Sequence, residues 1–207
     1  MSSRPELKLA WCSHEAARYA VEHWHYSESL PTPPLTKIGV WEDGAFIGVI
    51  IYSRGSTNNL GKPYDLSIIE VCELTRVALS SHKTPVSKML AFSLKMLKSS
   101  APGLRLVVSF ADPEEKHHGG IYQATNWIYG GQSVAYDKFI DVKGRVWHPR
   151  QVSSSGYKKM YGEYRKVPKI GECQKLRVVG KHRYLYPLDA AMREQIKPLA
   201  KPYPKRT

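Results

Sequence analysis

Three side chains capable of proton transfer follow one short apolar segment. Residues 104–110 read LRLVVSF, a run that predicts a buried strand. Asp112 follows this strand directly, and His117 and Tyr122 come soon after it. A carboxylate, an imidazole and a phenol are groups with which enzymes donate and accept protons. Because open α/β sheets bind ligands at the carboxyl ends of their strands, we predict a catalytic site here. The alternative is that Asp112 caps a turn and that Tyr122 belongs to the core.

A second group of polar rings lies near the N-terminus. Ser13 to Trp24 has apolar residues at helical spacing and a serine that can cap the first turn, so we predict a helix there. His25 and Tyr26 follow this helix and lead into a segment with Pro31, Pro33 and Pro34, which cannot be helical. We therefore expect His25 and Tyr26 to form part of a pocket wall.

A helix start in the middle of the chain could bind phosphate. Thr84 is the predicted N-cap of a helix that runs to about Lys98. The N–H groups of its first turn would be surrounded by Lys83, Ser87 and Lys88, which suits an anion such as a pyrophosphate. An ordinary capped helix with exposed lysines would have the same sequence, so both interpretations stay open.

The remaining elements must position these residues. The predicted order is helix, hairpin, strand, helix, strand, helix, strand, which indicates an α/β fold with a mixed sheet flanked by helices. Beyond the elements already named, the predicted segments are a hairpin of 37–41 with 45–52, a strand at 68–79, a helix at 121–129 closed by Gly130-Gly131, and a strand at 133–142. This order is similar to that of the Gcn5-related acetyltransferases, although their glycine-rich pyrophosphate loop has no counterpart at 80–84.

Positive charge is concentrated in the last third of the chain. Residues 1–141 carry 14 Lys/Arg and 14 Asp/Glu, whereas residues 142–207 carry 17 Lys/Arg and 4 Asp/Glu. Aromatic residues are interleaved with this charge, a combination typical of nucleic-acid binding. We therefore predict a catalytic domain at 1–152 and a basic, DNA-contacting C-terminal extension at 153–207. Residues 151–156 are expected to be a flexible linker between the two. In the extension, strands are expected at 176–179 and 184–186 and a helix at 189–196. Residues 197–207 are expected to be frayed. The alternatives are a solvated basic tail and a surface that faces a ribosome or a membrane.

The expected cellular compartment rests on three features: apolar runs, the N-terminal pattern and the cysteines. No apolar run approaches the roughly 20 residues needed to cross a bilayer, and the N-terminus does not have the pattern of a signal peptide. Cys12, Cys72 and Cys173 match no zinc or disulfide pattern. We expect a protein of a reducing cytoplasm without a membrane partner.

Three separated motifs resemble a known family. They are His25-Tyr26-Ser27 with Leu30-Pro31, then Glu73-Leu74-Thr75-Arg76, then Ala111-Asp112-Pro113 with His117, Gly119, Ile121-Tyr122-Gln123-Ala124, Asn126-Trp127 and Tyr129. In this order they resemble the Mom family of bacteriophage DNA-modification proteins, from about Ala10 to Val152. The resemblance implies a Gcn5-like fold and conversion of adenine N6 in double-stranded DNA to N6-carbamoylmethyladenine. It also implies protection of phage DNA from host restriction, in the cytoplasm of an infected bacterium.

The resemblance also implies site residues and cofactors. The matched positions are His25, Tyr26, Arg76, Ser87, Asp112 and Tyr122. The expected donor is acetyl-CoA or another acyl donor, bound near Arg76 and Ser87 with Lys83 and Lys88. The resemblance suggests iron dependence as well, and His25, Asp112 and His117 supply the ligand types of a two-histidine, one-carboxylate Fe(II) site. The alternative is that these histidines transfer protons or contact DNA without a metal.

The chemistry of an adenine amine sets further requirements. Its lone pair is delocalised into the ring, so the site must supply a base or a strong electrophile. Asp112 is the predicted acceptor of the N6 proton, Tyr122 is predicted to orient the donor, and the adenine is expected to be flipped out of the duplex. Because the product has a methylene on N6, acyl transfer alone cannot be the whole reaction.

Three other functions remain open. Asp112-Pro113 weakly resembles the Asp-Pro-Pro-Tyr element of DNA adenine methyltransferases, but Glu114-Glu115 follow it and the chain has no glycine-rich S-adenosylmethionine loop. An acetyltransferase is the second alternative. The third is a non-catalytic basic DNA-binding protein, which would leave the Asp112, His117 and Tyr122 cluster without a role.

Overall fold

A computed structural model describes residues 4–153, 155–160 and 163–205 of the chain. Within these residues the elements are β1 (Leu7–Trp11), α1 (His14–Trp24), β2 (Leu35–Glu42), β3 (Ala45–Ser53), β4 (Val71–Leu79), α2 (Val86–Ser100), β5 (Leu106–Ala111), α3 (Gly120–Gln123), β6 (Ile128–Gln132), β7 (Tyr136–Ile140), β8 (Val146–Trp147), α4 (Pro149–Val152), β9 (Tyr157–Met160), β10 (Glu163–Lys166), β11 (Gln174–Val178), β12 (His182–Pro187) and α5 (Ala190–Ile196). Most predicted elements are confirmed, and the strands that were not predicted are β1, β6, β8, β9 and β10.

The chain divides into two compact units. The larger contains the chain up to Gly131 and from His182 onward, and the smaller runs from Gln132 to Lys181. The predicted boundary between residues 152 and 153 therefore does not coincide with the division that the structure shows. The reason is β12, which lies between β5 and β6 in the sheet of the larger unit.

The larger unit contains a seven-stranded sheet in the order β1-β2-β3-β4-β5-β12-β6. The pair β4 and β5 is parallel, whereas β5 and β12 are antiparallel, as are the pairs among β1 to β4. Helices cover both faces. Ala17, Ala20 and Val21 of α1 pack on one face, and the apolar side chains of α2 pack on the other. The predicted mixed α/β sheet flanked by helices is confirmed.

The two predicted helix caps have different outcomes. Ser13 caps α1 as predicted, because its hydroxyl accepts the backbone N–H of Ala16 over 3.1 Å. The prediction that Thr84 caps α2 is wrong. Pro85 is the N-cap residue, without a side-chain cap, and the backbone N–H of Thr84 donates to Glu42 instead.

The predicted helix over 121–129 is wrong beyond its first turn. The α3 helix ends at Gln123, and Asn126 has a positive φ of 59° that is incompatible with a continued helix. Ile128 to Gln132 form β6, which pairs with β12. Pairing with a distant strand thus decides the structure of residues whose local pattern is helical.

The C-terminal residues are held in place rather than frayed. Lys201 donates its backbone N–H to the Tyr129 carbonyl over 2.9 Å, and the Tyr203 hydroxyl donates to the Trp127 carbonyl over 2.7 Å. The prediction of a frayed end is therefore wrong for residues 197–205. Residues 206 and 207 lie outside the described part of the chain.

The smaller unit has its own core. It contains the three-stranded sheet β11-β7-β8 and the hairpin of β9 with β10. Phe139, Trp147, Val152 and Val167 form its buried cluster. Gln151 and Val152 belong to α4, so the predicted linker is wrong at its start, and Ser154 lies outside the described residues.

The helices and the cysteines of the described residues bear on the expected compartment. None of their helices combines the length and the apolar character that crossing a bilayer requires. Cys12, Cys72 and Cys173 are all free thiols.

Candidate functional site

A cavity of about 800 Å³ lies in the larger unit where two parallel strands part. The pairing of β4 with β5 ends at Leu74 and Ser109, although β4 continues to Leu79 and β5 to Ala111. Beyond this point the two strands no longer pair with each other, and their ends line the cavity. The end of α1 and the segment 116–122 complete its wall. This is the strand end at which the sequence predicts chemistry.

A β-bulge sets the direction of the β4 side chains in this wall. Leu74 pairs with Tyr52 and Arg76 with Ile51, so Thr75 is the extra residue. The Thr75 hydroxyl donates to the Ile51 carbonyl over 3.1 Å. A bulge changes which residues of a strand point to a given face. It allows Thr75, Arg76 and Val77 all to border the cavity.

His25 and Tyr26 form part of the cavity wall as the sequence predicts. Their rings stack with centroids 4.3 Å apart, and the Tyr26 ring meets the His117 ring edge-on at 5.7 Å. Tyr26 is 52% exposed. The arrangement therefore presents a tyrosine face at the opening of the cavity, supported from behind by an imidazole.

The hydrogen bonds of His25 determine its tautomer. Nδ1 of His25 accepts the backbone N–H of Ser27 over 3.1 Å, so the ring proton of the neutral imidazole is on Nε2. Burial lowers the pKa of His25 to about 4, with smaller contributions from the positive charges of Arg76 and His117. His25 is accordingly a neutral hydrogen-bond donor at neutral pH.

A second imidazole in the wall has the opposite tautomer. Nδ1 of His82 lies 2.7 Å from the carbonyl oxygen of Ser80, which can only accept, so Nδ1 carries the proton. Nε2 of neutral His82 then has a free lone pair. His82 is not among the predicted site residues, and its position three residues after the end of β4 is the signal that could have identified it.

Arg76 is held against the wall by backbone carbonyls. Its Nε donates to the Ser29 carbonyl over 3.2 Å and its Nη1 to the Thr75 carbonyl over 2.8 Å. Burial lowers the pKa of Arg76 from its usual value, although the guanidinium remains charged at neutral pH. A guanidinium has five N–H donors, so these two bonds fix its position and leave capacity to bind an oxygen atom of a ligand.

Tyr122 closes the inner end of the cavity. Ser109 Oγ lies 2.8 Å from both the Leu74 carbonyl oxygen and the Tyr122 hydroxyl oxygen. A hydroxyl has one proton and a carbonyl can only accept, so Ser109 donates to Leu74 and Tyr122 donates to Ser109. Burial raises the pKa of Tyr122 to about 12. The phenol therefore remains protonated throughout the physiological range.

Asp112 caps a turn, as the alternative interpretation of the sequence has it. Its carboxylate accepts the backbone N–H of Glu114 over 3.1 Å, and its carbonyl accepts the backbone N–H of His117 over 3.0 Å. Among the described residues, the structure has no group of three or more His, Cys, Asp or Glu side chains placed to bind a metal ion. His25, Asp112 and His117 thus do not fit the predicted Fe(II) site.

The residues just before the predicted phosphate-binding turn bind a carboxylate. Glu42 accepts the backbone N–H of Lys83 over 2.8 Å and that of Thr84 over 2.7 Å. The Thr84 hydroxyl and these N–H groups lower the pKa of Glu42 to about 2. These two N–H groups are therefore already bound to a negative charge, whereas the first turn of α2, the predicted anion site, begins only at Val86.

The cavity brings together only part of the predicted site. His25, Tyr26, Arg76, His117 and Tyr122 line it. Of the other predicted residues within the described ranges, Asp112, Lys83, Ser87 and Lys88 are not in its lining. Besides His82, the structure adds His118 and Ser109, and a lone serine in an otherwise apolar strand was the available signal for Ser109.

Comparison with known proteins extends the resemblance found in the motifs. The sequence profile of the Mom protein family matches residues 6–205. The chain is 24% identical over 207 residues to the methylcarbamoylase mom of Escherichia phage Mu, covering 97% of this chain and 84% of that protein. A similar solved structure is FeeM, an N-acyl amino acid synthase from uncultured soil microbes, with a TM-score of 0.49, 10% identity and coverage of 92% and 94%. Another is a putative acetyltransferase from Acinetobacter baylyi ADP1, with a TM-score of 0.48, 11% identity and coverage of 91% and 96%.

Proposed function

The chain belongs to the Mom protein family, and from that premise we propose that it is a DNA-modifying transferase that converts adenine N6 to N6-carbamoylmethyladenine. The relative in Escherichia phage Mu is named a methylcarbamoylase, which supports this choice of added group. The observation that carries the proposal is the cavity at the parting of β4 and β5, which joins motif residues from three distant segments. The substrate is DNA in the cytoplasm of an infected host, and the biological effect is protection from restriction.

Tyr26 is proposed to bind the target base. Tyr26 is half exposed and its ring stacks on that of His25, so a planar base can stack on the exposed part of the Tyr26 ring. Rotation of adenine out of the duplex exposes both the ring face and the N6 amine. Arg76, fixed by two backbone carbonyls, is placed to bind an oxygen atom of the donor.

The positions of the ring protons on His82 and His25 suggest a role for each imidazole. His82 is proposed to accept the N6 proton through Nε2, because its Nδ1 proton is held by the Ser80 carbonyl. His25 donates a hydrogen bond from Nε2 to the donor or the base, since its Nδ1 is occupied by Ser27. Asp112 is proposed to act through His117, whose turn it caps, rather than on the substrate itself. The donor is a small molecule in which the carbamoylmethyl group is attached to a leaving group. The bond from N6 to the methylene carbon forms as the bond from that carbon to the leaving group breaks, the leaving group departs with the electron pair, and the N6 proton goes to His82.

Mass spectrometry of nucleosides tests the proposal. Plasmid DNA is isolated from cells that express the full chain and is digested to nucleosides. The expected result is a deoxyadenosine that carries a carbamoylmethyl group. An N6-methyl group would instead support a methyltransferase, an acetyl group an acetyltransferase, and unmodified DNA a binding protein.

Substitution of His82 tests its proposed role as the acceptor of the N6 proton. His82→Ala should lower the yield of modified adenine by about a hundredfold, as expected for loss of a general base, and added imidazole should restore part of it. His14→Ala is the matched control, because His14 is an exposed imidazole on α1 outside the cavity. Normal modification by His82→Ala would show that the N6 proton goes elsewhere.

A further inference from the structure

The hairpin of β9 and β10 has one exposed face that carries two tyrosines and a lysine. In its antiparallel register Lys166 lies opposite Tyr157, and Tyr164 is two residues from Lys166, so the three side chains share a face. Tyr157 is 69% exposed, Tyr164 is 74% exposed, and Lys166 is exposed as well. Exposed aromatic side chains that are grouped on one face beside polar residues are typical of interaction sites.

The base of the hairpin is anchored in the smaller unit. On the face opposite the tyrosines, the Arg165 side chain is 21% exposed, and its Nη2 lies 3.3 Å from a carboxylate oxygen of Glu163 in the same strand. Val167, directly after β10, is buried with Val152, Phe139 and Trp147. Its backbone N–H donates to the Gly156 carbonyl over 2.8 Å, which closes the base of the hairpin. The tyrosine face is therefore displayed from a fixed support.

The charge of the smaller unit indicates the nature of the partner. Residues 132–181 carry 12 Lys/Arg and 4 Asp/Glu, whereas residues 1–131 carry 13 Lys/Arg and 12 Asp/Glu. With histidine neutral, residues 132–181 thus have a net charge of +8, whereas residues 1–131 have a net charge of +1. A surface with this excess attracts a polyanion, and a two-stranded β-ribbon fits the major groove of B-form DNA.

We propose that the face formed by Tyr157, Tyr164 and Lys166 is a duplex-DNA-binding surface, separate from the residues that line the cavity. Lys166 neutralises a phosphate, while the two rings pack on deoxyribose and base edges and their hydroxyls donate to phosphate oxygens. The inference rests on the proposed function in one respect, the choice of DNA as the polyanion. It requires no donor and no chemical step.

DNA binding by the full chain tests the surface directly. Affinity for a fluorescein-labelled duplex of about 20 base pairs is measured over a range of salt concentrations without any donor, as a duplex of this length spans about two helical turns. Tyr157→Ala with Tyr164→Ala should weaken binding about tenfold or more. Lys166→Ala should lower the magnitude of the salt slope by about one, the value for one lost phosphate contact.

Matched controls make each outcome decisive. Lys8→Ala removes the same charge from an exposed position on β1 and should leave the salt slope unchanged. Thermal unfolding of each variant should match that of the unsubstituted protein, because the three side chains are exposed. Unchanged affinity in the tyrosine variant, an equal effect of Lys8→Ala and Lys166→Ala, or tighter binding to an RNA duplex of the same sequence would each overturn the proposal. Because nucleoside analysis tests the reaction and this assay tests binding, failure of one is distinguishable from failure of the other.

Discussion

The backbone N–H of Ser27 points at Nδ1 of His25 from 3.1 Å and thereby fixes the Nε2–H tautomer of a buried imidazole. The Ser27 hydroxyl oxygen is also 2.8 Å from the same nitrogen. A hydroxyl can rotate its proton toward a lone pair, so both contacts favour an unprotonated Nδ1. Burial and two neighbouring positive groups act in the same direction, since both lower the pKa of the ring.

His25 should therefore titrate at about pH 4, and its neutral form should carry the ring proton on Nε2. Nitrogen-15 NMR of labelled histidine measures both properties. Between pH 6.5 and 4 the unfolded chain binds a proton that the folded chain does not. The part of the stability that comes from His25 is thus complete above pH 6.5 and is lost as the pH falls toward 4. His25→Asn, which retains an N–H donor, should remove this pH dependence, and a pKa near 6.5 in the folded protein would contradict the assignment.

Tyr122→Phe should separate catalysis from folding. It removes one buried hydrogen bond, while Ser109 retains the Leu74 carbonyl as its acceptor, so the loss of stability should be only about 1 kcal/mol. Loss of DNA modification with unchanged DNA affinity is the expected result, because Tyr122 lines the cavity of the larger unit. Urea denaturation, nucleoside analysis and duplex binding measure the three quantities. Retained modification would restrict Tyr122 to a packing role.

The sequence predicts best the elements whose signals are local. The α1 helix has a serine cap and a regular apolar stripe, and β5 is a short β-branched run, so neither depends on distant residues. It fails where pairing with a distant strand decides the structure. Ile128 and Tyr129 fit a helical pattern but form β6 beside β12, which follows some fifty residues later in the chain. The division into units depends on the same distant strand.

The candidate site shows the same limit. His25, Tyr26 and Arg76 can be identified because they occur in motifs. The roles of Asp112 and Glu42 cannot, because a carboxylate that caps a turn and one that serves a substrate have the same sequence. Only the donors around each oxygen distinguish them: the Glu114 N–H at Asp112 and the Lys83 N–H at Glu42.

Asp141 should be important for the stability of the smaller unit. Its carboxylate accepts from the backbone N–H groups of Lys143 and Arg145, from Nε of Arg145 and from Nε1 of Trp147. Burial raises its pKa, but these hydrogen bonds outweigh burial and lower the pKa to about 2. Its contribution to stability is therefore present above pH 3.8 and is lost as the pH falls toward 2.

Asp141→Asn should accordingly destabilise the smaller unit by about 2–3 kcal/mol, because an amide group places N–H donors against donors. The NMR signal of the Trp147 indole N–H, followed during denaturation, measures the effect, because it distinguishes Trp147 from the other four tryptophans. Asp137→Asn removes the same charge from a partly exposed pair with Arg177 and should change stability by less than about 1 kcal/mol. Equal effects of the two substitutions would mean that the buried network adds nothing beyond the charge.

Gly119→Ala should be among the most harmful small substitutions in the larger unit. Gly119 has a φ of 83°, in the left-handed region that costs other residues about 1–2 kcal/mol. An added Cβ would also overlap the ring of Tyr184, whose hydroxyl donates to the His118 carbonyl over 2.5 Å. The ring cannot move without breaking that bond and its contact with Tyr122. The expected loss of stability is about 2 kcal/mol or more, with lower DNA modification because Gly119 lines the cavity.

Gly103→Ala is the control, since no described atom lies within 4 Å of its added Cβ, and it should leave both properties unchanged. Equal unfolding midpoints for the two variants would show that the segment before α3 accommodates the added methyl group without loss of stability.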